Sequence, residues 1–309
     1  MVGRSTLATA LLAYFGAIVI LVLIYAVLAV SVNLQYGSAG IFNFGVVAFF
    51  MIGAYAAAYI TLAGYPFVIG AIVGAVISGL AGYLISLPAL NLRGDFLALA
   101  TFMFSQVIGI FVLNIQSLGG AVGLNHVPST FIWINSYDEL VAANLVLLTA
   151  LFLAVYAIYR ALMVSPYGRV LKSIKDNEKL AEALGKNIFR YKAQVFVIGS
   201  IIAGIDGAVY AQYLGFAGTD LFTYSVTFTV YIMCIIGGSS TGAGALLGAA
   251  IYTVIQAALL GVKDIVTLPI DPNNLVFILF GLITVFLLYF RPDGIIRARL
   301  RKVDFTSRT

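Results

Sequence analysis

Long apolar runs dominate the chain, and short polar or glycine-rich stretches separate them. Most runs are close to the roughly 20 residues that a helix needs to cross a hydrocarbon layer about 30 Å thick. The pattern therefore predicts an all-α fold, a polytopic transmembrane helical bundle of about 9–10 spans with broken or re-entrant segments. The runs lie at 7–34, 46–62, 67–87, 96–113, 140–163, 191–214, 222–237, 243–262 and 274–290.

The composition agrees with a membrane protein and excludes other classes. Of the 309 residues, 62% are hydrophobic and 9% are charged, and the mean hydropathy is +1.07. A soluble domain carries about 25% charged residues, so a soluble enzyme, a disordered chain and a disulfide scaffold are excluded. The chain has one Cys and one His and no set of side chains typical of a catalytic site. We expect no enzyme activity, no metal and no bound cofactor.

The basic residues fall into two clusters. Segment 160–192 has eight Lys and Arg against three acids, and 291–308 has six against two. The positive-inside rule places both clusters in the cytoplasm and the acidic loop 114–139 outside. The side of the N-terminus stays open. Straight spans put it outside, Arg4 favours the inside, and an extra crossing or a re-entrant piece within 7–62 would reconcile the two.

The most charged loop is predicted to contain one amphipathic helix over 166–184. Ser165-Pro166 is typical of a helix start, and Gly185 is placed to end the helix. Such a helix is either solvated, resting on lipid headgroups, or a docking element for a cytoplasmic partner. Its predicted apolar face consists of Val170, Ile174, Ala181 and Leu184.

Two glycine-rich, uncharged segments interrupt the apolar pattern, at 36–45 and 237–244. Irregular backbone at membrane depth is tolerated only where protein or a water-filled cavity satisfies it, and paired interruptions indicate a transport site. The second segment also fits a plain cytoplasmic turn. It is not a phosphate-binding loop, because no Lys-Ser/Thr follows the glycines. The chain is therefore predicted to carry no ATPase of its own.

Small residues recur every four positions in several runs. This spacing predicts faces on which helices approach each other closely, a structural role. The stripes are Gly70, Gly74, Ser78 and Gly82; Gly199, Ala203, Gly207 and Ala211; and Gly244 with Gly248.

A few polar residues interrupt the spans. Asp206 is predicted in the outer half of its span, where a carboxylate must face protein or water. It either meets a substrate ammonium or is hydrated near the interface. Asn43, Gln106 and Gln212 either line a polar path or form hydrogen bonds between helices.

Several stretches together resemble the LivM-type permeases of branched-chain amino-acid ABC importers. The resemblance covers about 30–290. It is carried by Tyr36–Gly45 with Ala48–Tyr55, Leu87–Ala98, Ser165–Arg169 with Asp176–Gly185, Tyr213–Phe216, and Gly237–Gly248.

The resemblance implies a permease that works by alternating access in a larger assembly. The implied partners are a second, LivH-like permease, two cytoplasmic subunits that hydrolyse ATP with Mg, and an external solute-binding protein. The implied location is a prokaryotic inner or plasma membrane, with the C-terminus in the cytoplasm. Residues 1–309 would form one permease domain, with a coupling loop at 164–190 and a basic cytoplasmic tail at 291–309.

The resemblance also implies roles for individual residues. The ATPase-coupling residues would be Asp176, Asn177, Glu178, Ala181, Glu182, Ala183 and Gly185. The resemblance places the glycine-rich breaks along the translocation path, with Gly40, Gly45, Gly237 and Gly238. The polarity of Asn43, Gln106 and Asp206 within apolar runs adds these three as path candidates.

Other functions stay open at this point. Closely similar permeases carry urea or short amides. A stand-alone secondary transporter or channel would need ion-coupling acids within the membrane, for which Asp206 is the candidate. A membrane scaffold without transport is a further alternative.

Overall fold

The computed structural model describes residues 2–131, 133–134, 136–263, 272–290 and 294–296. Within these ranges the chain is almost entirely helical, with one short antiparallel pair, β1 (Leu124–Asn125) and β2 (Phe216–Ala217). Most of the predicted tail 291–309 lies outside the described residues. The helices are α1 (Val2–Val32), α2 (Val46–Leu62), α3 (Phe67–Ala89), α4 (Gly94–Asn114), α5 (Tyr137–Val164), α6 (Pro166–Asp176), α7 (Glu178–Ala183), α8 (Ile188–Leu214), α9 (Tyr224–Gly237), α10 (Gly242–Lys263) and α11 (Pro272–Phe290).

Seven helical stretches of the described chain are long and apolar enough to cross a membrane. They belong to α1, α3, α4, α5, α8, α9 and α10. Two more apolar helices are α2, with 17 residues, and α11, with 19 residues. The chain is therefore a multi-pass membrane protein, and the predicted polytopic helical bundle is confirmed.

The first apolar run forms a single long helix. α1 continues through a π-helical turn, Asn33–Gly37, before the backbone breaks. It runs parallel to α5, since a side chain at Gly16 would meet Val141 near the start of α5, and Ser38 bonds to Met163 near its end. The end of the bundle that carries α6 and α7 is called the α6 end below. The 7–62 region thus holds α1, an irregular stretch and α2 in succession, so straight spans are found and α1 starts at the end opposite α6.

Helices α2, α3 and α8 form the most extensively packed part of the bundle. A side chain at Gly53 on α2 would overlap the backbone of Gly204 on α8, and one at Gly207 would overlap the Phe50 carbonyl. On α3, Gly74 faces the backbone of Gly53. Because these contacts are backbone to backbone, only glycine allows the helices to approach so closely. The structural reading of the small-residue stripes is confirmed.

A loop and a turn meet at the end of the bundle opposite α6. β1 lies in the loop after α4, and β2 lies just after α8. The backbone N–H of Val127 donates to the Gly215 carbonyl at 3.0 Å, which extends this contact. His126, just before Val127, has a positive φ of 60°. The long loop after α4 is therefore hydrogen-bonded to the residues that follow the C-terminal end of α8.

We expect Gly53→Leu to destabilise the protein. The added side chain must push α2 away from α8, and overpacking of this kind costs about 1–3 kcal/mol or more. Gly109→Leu on α4 is the matched control, because nothing lies within 4 Å of a Cβ added there. Thermal unfolding of the detergent-solubilised protein is monitored by size-exclusion chromatography. The midpoint temperature of unfolding should be lower for Gly53→Leu and unchanged for Gly109→Leu. Equal midpoints would contradict the close-packing account.

Candidate functional site

The charged loop after α5 folds as two short helices rather than one. α6 ends at Asp176, and α7 begins at Glu178. Between them Asn177 has extended backbone angles (φ −157°, ψ 102°), so the helix does not continue through it. The Asn177 side chain accepts a hydrogen bond from the Leu180 backbone N–H at 3.1 Å and caps α7. The prediction of a single helix over 166–184 is therefore wrong, since Asn favours a cap over a helix interior.

The apolar residues of this loop are divided between the two helices. Leu171 and Ile174 on α6 are fully buried, and Ala181 on α7 is also buried. Leu184, predicted on the same apolar face, is 69% exposed, and Leu180 is 60% exposed. The break between the helices changes their relative direction, so positions that would share one face of a continuous helix no longer do so. α7 therefore presents two leucines on its surface.

The predicted end residues behave differently. Gly185 has a φ of +78°, its N–H donates to the Glu182 carbonyl at 2.8 Å, and the next N–H donates to Ala181 at 3.1 Å. This is a Schellman end, so the prediction that Gly185 terminates the helix is confirmed. Ser165 stands at the start of α6, but its hydroxyl donates to the Leu162 carbonyl at 2.7 Å and does not cap α6.

Side chains of both short helices contact α8. Glu178 forms an ion pair with Lys192, and the Tyr167 ring packs against Tyr191 with centroids 5.4 Å apart. Burial, and secondarily the nearby Tyr191, raises the pKa of Tyr167 from 10.0 to about 12. Its phenol is therefore neutral at physiological pH and donates to the Tyr191 carbonyl at 3.4 Å. The exposed members of the predicted coupling set are Asp176, Asn177, Glu178, Glu182, Ala183 and Gly185.

The first glycine-rich segment is an irregular stretch of backbone between α1 and α2. The chain leaves helical geometry at Gly40, which has a φ of +69°. Asn43 is fully buried and holds the stretch together. Its amide donates to the Gln35 side-chain carbonyl at 2.8 Å, and its own carbonyl accepts the N–H of Gly45 at 2.9 Å.

This segment also rests on α4 and α9. The Phe44 N–H donates to the Thr101 hydroxyl at 3.0 Å, and the Phe44 ring stacks on Tyr231 with centroids 4.7 Å apart. Thr101 is about 10 Å along α4 from Gly94, where that helix starts at the α6 end. Lipid offers no hydrogen-bond partners at such a depth. The protein itself supplies those of the irregular backbone.

The two glycine-rich segments meet at the α6 end. The Asn33 amide, just before the first segment, donates to the carbonyls of Gly238 at 3.3 Å and Thr241 at 2.8 Å. The Ser240 hydroxyl donates to the Gly37 carbonyl at 3.3 Å. A side chain at Gly37 would overlap the backbone of the second segment. The pairing of interruptions seen in the sequence is therefore a physical contact.

Helix α6 lies over this junction. The Lys175 ammonium donates to the Gly37 carbonyl at 2.8 Å and to the Ser240 hydroxyl at 3.3 Å. The aliphatic part of Lys175 passes Gly40, where an added Cβ would lie 3.5 Å from Cγ of the lysine. One charged side chain thus contacts both glycine-rich segments.

The described C-terminal residues contact the second segment from another side. The N–H groups of Ile295 and Ile296 donate to the carbonyls of Ile236 and Gly237, both at 3.0 Å. These are carbonyls at the end of α9, which have no partner within their own helix. The second segment is therefore held by the C-terminal stretch as well as by α1.

The predicted path residues do not form one cluster. Gly40, Asn43 and Gly45 lie in the first segment, and Gly237 and Gly238 lie where it meets the second. Gln106 is on α4, about 7.5 Å beyond Thr101 and further from the α6 end. Its amide donates to the neighbouring Ser105 hydroxyl at 3.4 Å.

Asp206 lies apart from this group. It is fully buried on α8, and neither carboxylate oxygen has a hydrogen-bond partner in the described part of the chain. Its titratable neighbours include Tyr25 and Tyr210. A side chain at Gly199 would overlap Gln35, and Asp206 is about 10 Å further along α8. The structure therefore places the buried acid away from the glycine-rich segments.

Several residues that build the junction were not predicted as site residues. Asn33 could have been found, because a polar residue inside an apolar run needs a buried partner. Lys175 could not have been found, because a lysine on a helix with many charged residues gives no sign in the sequence of a contact with another segment. The others are Thr101, Ser240 and Thr241.

Comparison with known proteins agrees with this architecture. The family described as "Branched-chain amino acid transport system / permease component" matches residues 14–288. The branched-chain amino acid transport permease LivM of Methanocaldococcus jannaschii is 28% identical, with 88% of this chain and 90% of that protein covered. No solved structure matches the chain significantly.

Two permeases of Escherichia coli are also similar. Its high-affinity branched-chain amino acid permease LivM is 27% identical over 89% of this chain and 68% of its own length. Its LivH permease is 28% identical over 75% of this chain and 80% of its own length. Since the family match covers most of the helical bundle, the chain belongs to the permease components of branched-chain amino acid transport systems.

Proposed function

We propose that this chain is one permease subunit of an ABC importer that moves branched-chain amino acids by alternating access. The observation that carries the proposal is the position of the α6–α7 loop directly over the junction of the two glycine-rich segments. In such an importer, ATP-driven motion must reach a path through the membrane. Here Lys175, in the α6–α7 loop, contacts the backbone of the first glycine-rich segment and a side chain of the second.

The α6–α7 loop is the docking site for a cytoplasmic ATPase subunit. Leu180 and Leu184 on α7 are exposed, and Glu182 and Ala183 are exposed between them. Apolar side chains with charged neighbours suit insertion into a groove of a partner protein. ATP and Mg bind to two such partner subunits and not to this chain, which has no phosphate-binding loop.

The α6 end of the bundle lies on the cytoplasmic side of a prokaryotic cell membrane. The bases of 160–192 surround α6 and α7, and the C-terminal tail begins at the same end. The positive-inside rule supports this orientation, which also places the C-terminus in the cytoplasm. A solute-binding protein docks at the opposite end, where Val122 and Trp133 of the long loop are 74% and 73% exposed.

The path for the solute follows the first glycine-rich segment. Phe42 in this segment is 40% exposed and packs on Tyr36 with ring centroids 4.8 Å apart. Irregular backbone cannot face lipid, so this side of the segment faces a path or a second, LivH-like permease. Aromatic rings suit the apolar side chain of leucine, isoleucine or valine better than they suit urea.

The proposal makes 1–309 a single permease domain. Residues 164–190 serve as its coupling loop, and 291–309 are a basic cytoplasmic tail. The full assembly adds a second permease, two ATPases and one external binding protein.

Reconstitution of the full assembly in proteoliposomes tests the function. We expect ATP-dependent uptake of radiolabelled leucine that isoleucine and valine compete away and urea does not. Ala183→Arg should lower this uptake about tenfold or more, because it places a bulky charge on the docking face, while membrane insertion stays normal. Ala63→Arg, at an exposed alanine of the α2–α3 turn, is the matched control.

Two outcomes of that assay would count against the proposal. Uptake by the chain reconstituted alone would favour a stand-alone transporter. Unaltered uptake by Ala183→Arg would overturn the docking role of α7.

Thiol labelling tests the orientation. Val122→Cys and Leu184→Cys place thiols at the two ends of the bundle, and the native Cys234 is buried. In right-side-out vesicles, a membrane-impermeant maleimide should label Val122→Cys at once and Leu184→Cys only after permeabilisation. The unsubstituted chain is the control, and the reverse order of labelling would contradict the orientation.

A further inference from the structure

The Lys175 ammonium joins two polar groups from separate parts of the chain. It donates to the Gly37 carbonyl at 2.8 Å and to the Ser240 hydroxyl at 3.3 Å, and Ser240 donates in turn to Gly37 at 3.3 Å. The donor and acceptor capacities match, because a carbonyl oxygen accepts two hydrogen bonds and a hydroxyl accepts one while donating another. These contacts link α6 to both glycine-rich segments at once.

The segments themselves are in direct contact where Lys175 bonds. An added Cβ at Gly37 would fall on the Ser239 carbonyl, so no side chain separates the two backbones. Asn33 adds two hydrogen bonds from α1 to the second segment. The space between the end of α1 and the α9–α10 turn is therefore closed at the α6 end.

Helix α6 is firmly packed where it lies over this junction. Leu171 and Ile174 are fully buried, so their side chains anchor α6 to the helices that it packs against. Gly168 lets α6 lie against the backbone of the end of α5, where an added Cβ would be 2.6 Å from the Leu162 and Met163 carbonyls. Lys175 projects from the last turn of α6, next to the break that leads into α7.

We infer that Lys175 is a positioning residue that holds the two glycine-rich segments together and closes the path at the α6 end. When the ATPases move the α6–α7 loop, the ammonium leaves Gly37 and Ser240, and the segments separate. Its hydrogen bonds are charge-assisted, so they are stronger than those between neutral groups, although the Lys175 side chain is exposed. This inference rests on the proposed function, because it assigns the moving part of the same transport cycle.

A simpler role would be structural. The Lys175 ammonium lies at the C-terminal end of α1, where a positive charge stabilises the last carbonyls of the helix through the helix dipole. This role predicts lower stability when Lys175 is replaced but no change in the amount of solute moved per ATP. The ratio of transport to hydrolysis therefore separates the two roles.

The experiment uses the complete assembly, with second permease, ATPases and binding protein, in proteoliposomes. Leucine uptake and ATP hydrolysis are measured together for the wild type, Lys175→Met, Lys175→Arg and Ser240→Ala. Lys172→Met, on the exposed surface of the same helix, is the matched control. Thermal unfolding of each variant reports stability.

We expect Lys175→Met, which removes both hydrogen bonds of the ammonium, to assemble and hydrolyse ATP while leucine moved per ATP falls about tenfold or more. Lys175→Arg should recover most of the ratio, and Lys172→Met should match the wild type. A wild-type ratio in Lys175→Met would overturn the inference, as would a loss of stability and of both activities with the ratio unchanged.

Two further outcomes have defined meanings. If Lys175→Met is not recovered, Ser240→Ala decides: a reduced ratio supports the inference, and an unchanged ratio overturns it. If the wild-type assembly itself takes up no leucine, the proposed function fails, and this result is distinct from a defect confined to Lys175.

Discussion

Backbone that is not helical must find its hydrogen bonds within the protein when it lies inside an apolar bundle, and much of this structure serves that need. The stretch from Gly40 to Gly45 leaves α1 at the α6 end and reaches the level of Thr101 before α2 begins. Asn43, Gln35 and Thr101 supply its side-chain partners. These residues are buried and polar in an otherwise apolar environment, so their positions are fixed by the backbone that they satisfy.

The close packing of glycines makes room for this arrangement. α2 and α8 touch at Gly53 and Gly204, which holds α2, and with it the end of the irregular segment, against α8. On the other side, Gly37 touches the second segment directly, and α6 covers the junction with Lys175. The α6–α7 loop and the two glycine-rich segments thus form one connected unit.

Periodicity and charge predict much of this architecture. Apolar runs predict the long helices, small residues at every fourth position predict the close faces of α3 and α8, and Gly185 predicts the end of α7. The break at Asn177 was missed because an amphipathic pattern continues across it, and only the capping contact to Leu180 distinguishes two helices from one. The junction could not be predicted, because Asn33, Lys175 and Ser240 are distant in sequence and their contacts depend on how α1, α6 and the α9–α10 turn are placed.

We propose that the junction of the glycine-rich segments opens when ATPase subunits act on the α6–α7 loop. The most direct measurement is the separation of the Lys175 ammonium and the Gly37 carbonyl in structures of the complete assembly without nucleotide and with ATP bound but not hydrolysed. We expect the 2.8 Å contact to persist without nucleotide and to be lost with ATP, as the two segments separate. The same contact in both states would contradict it.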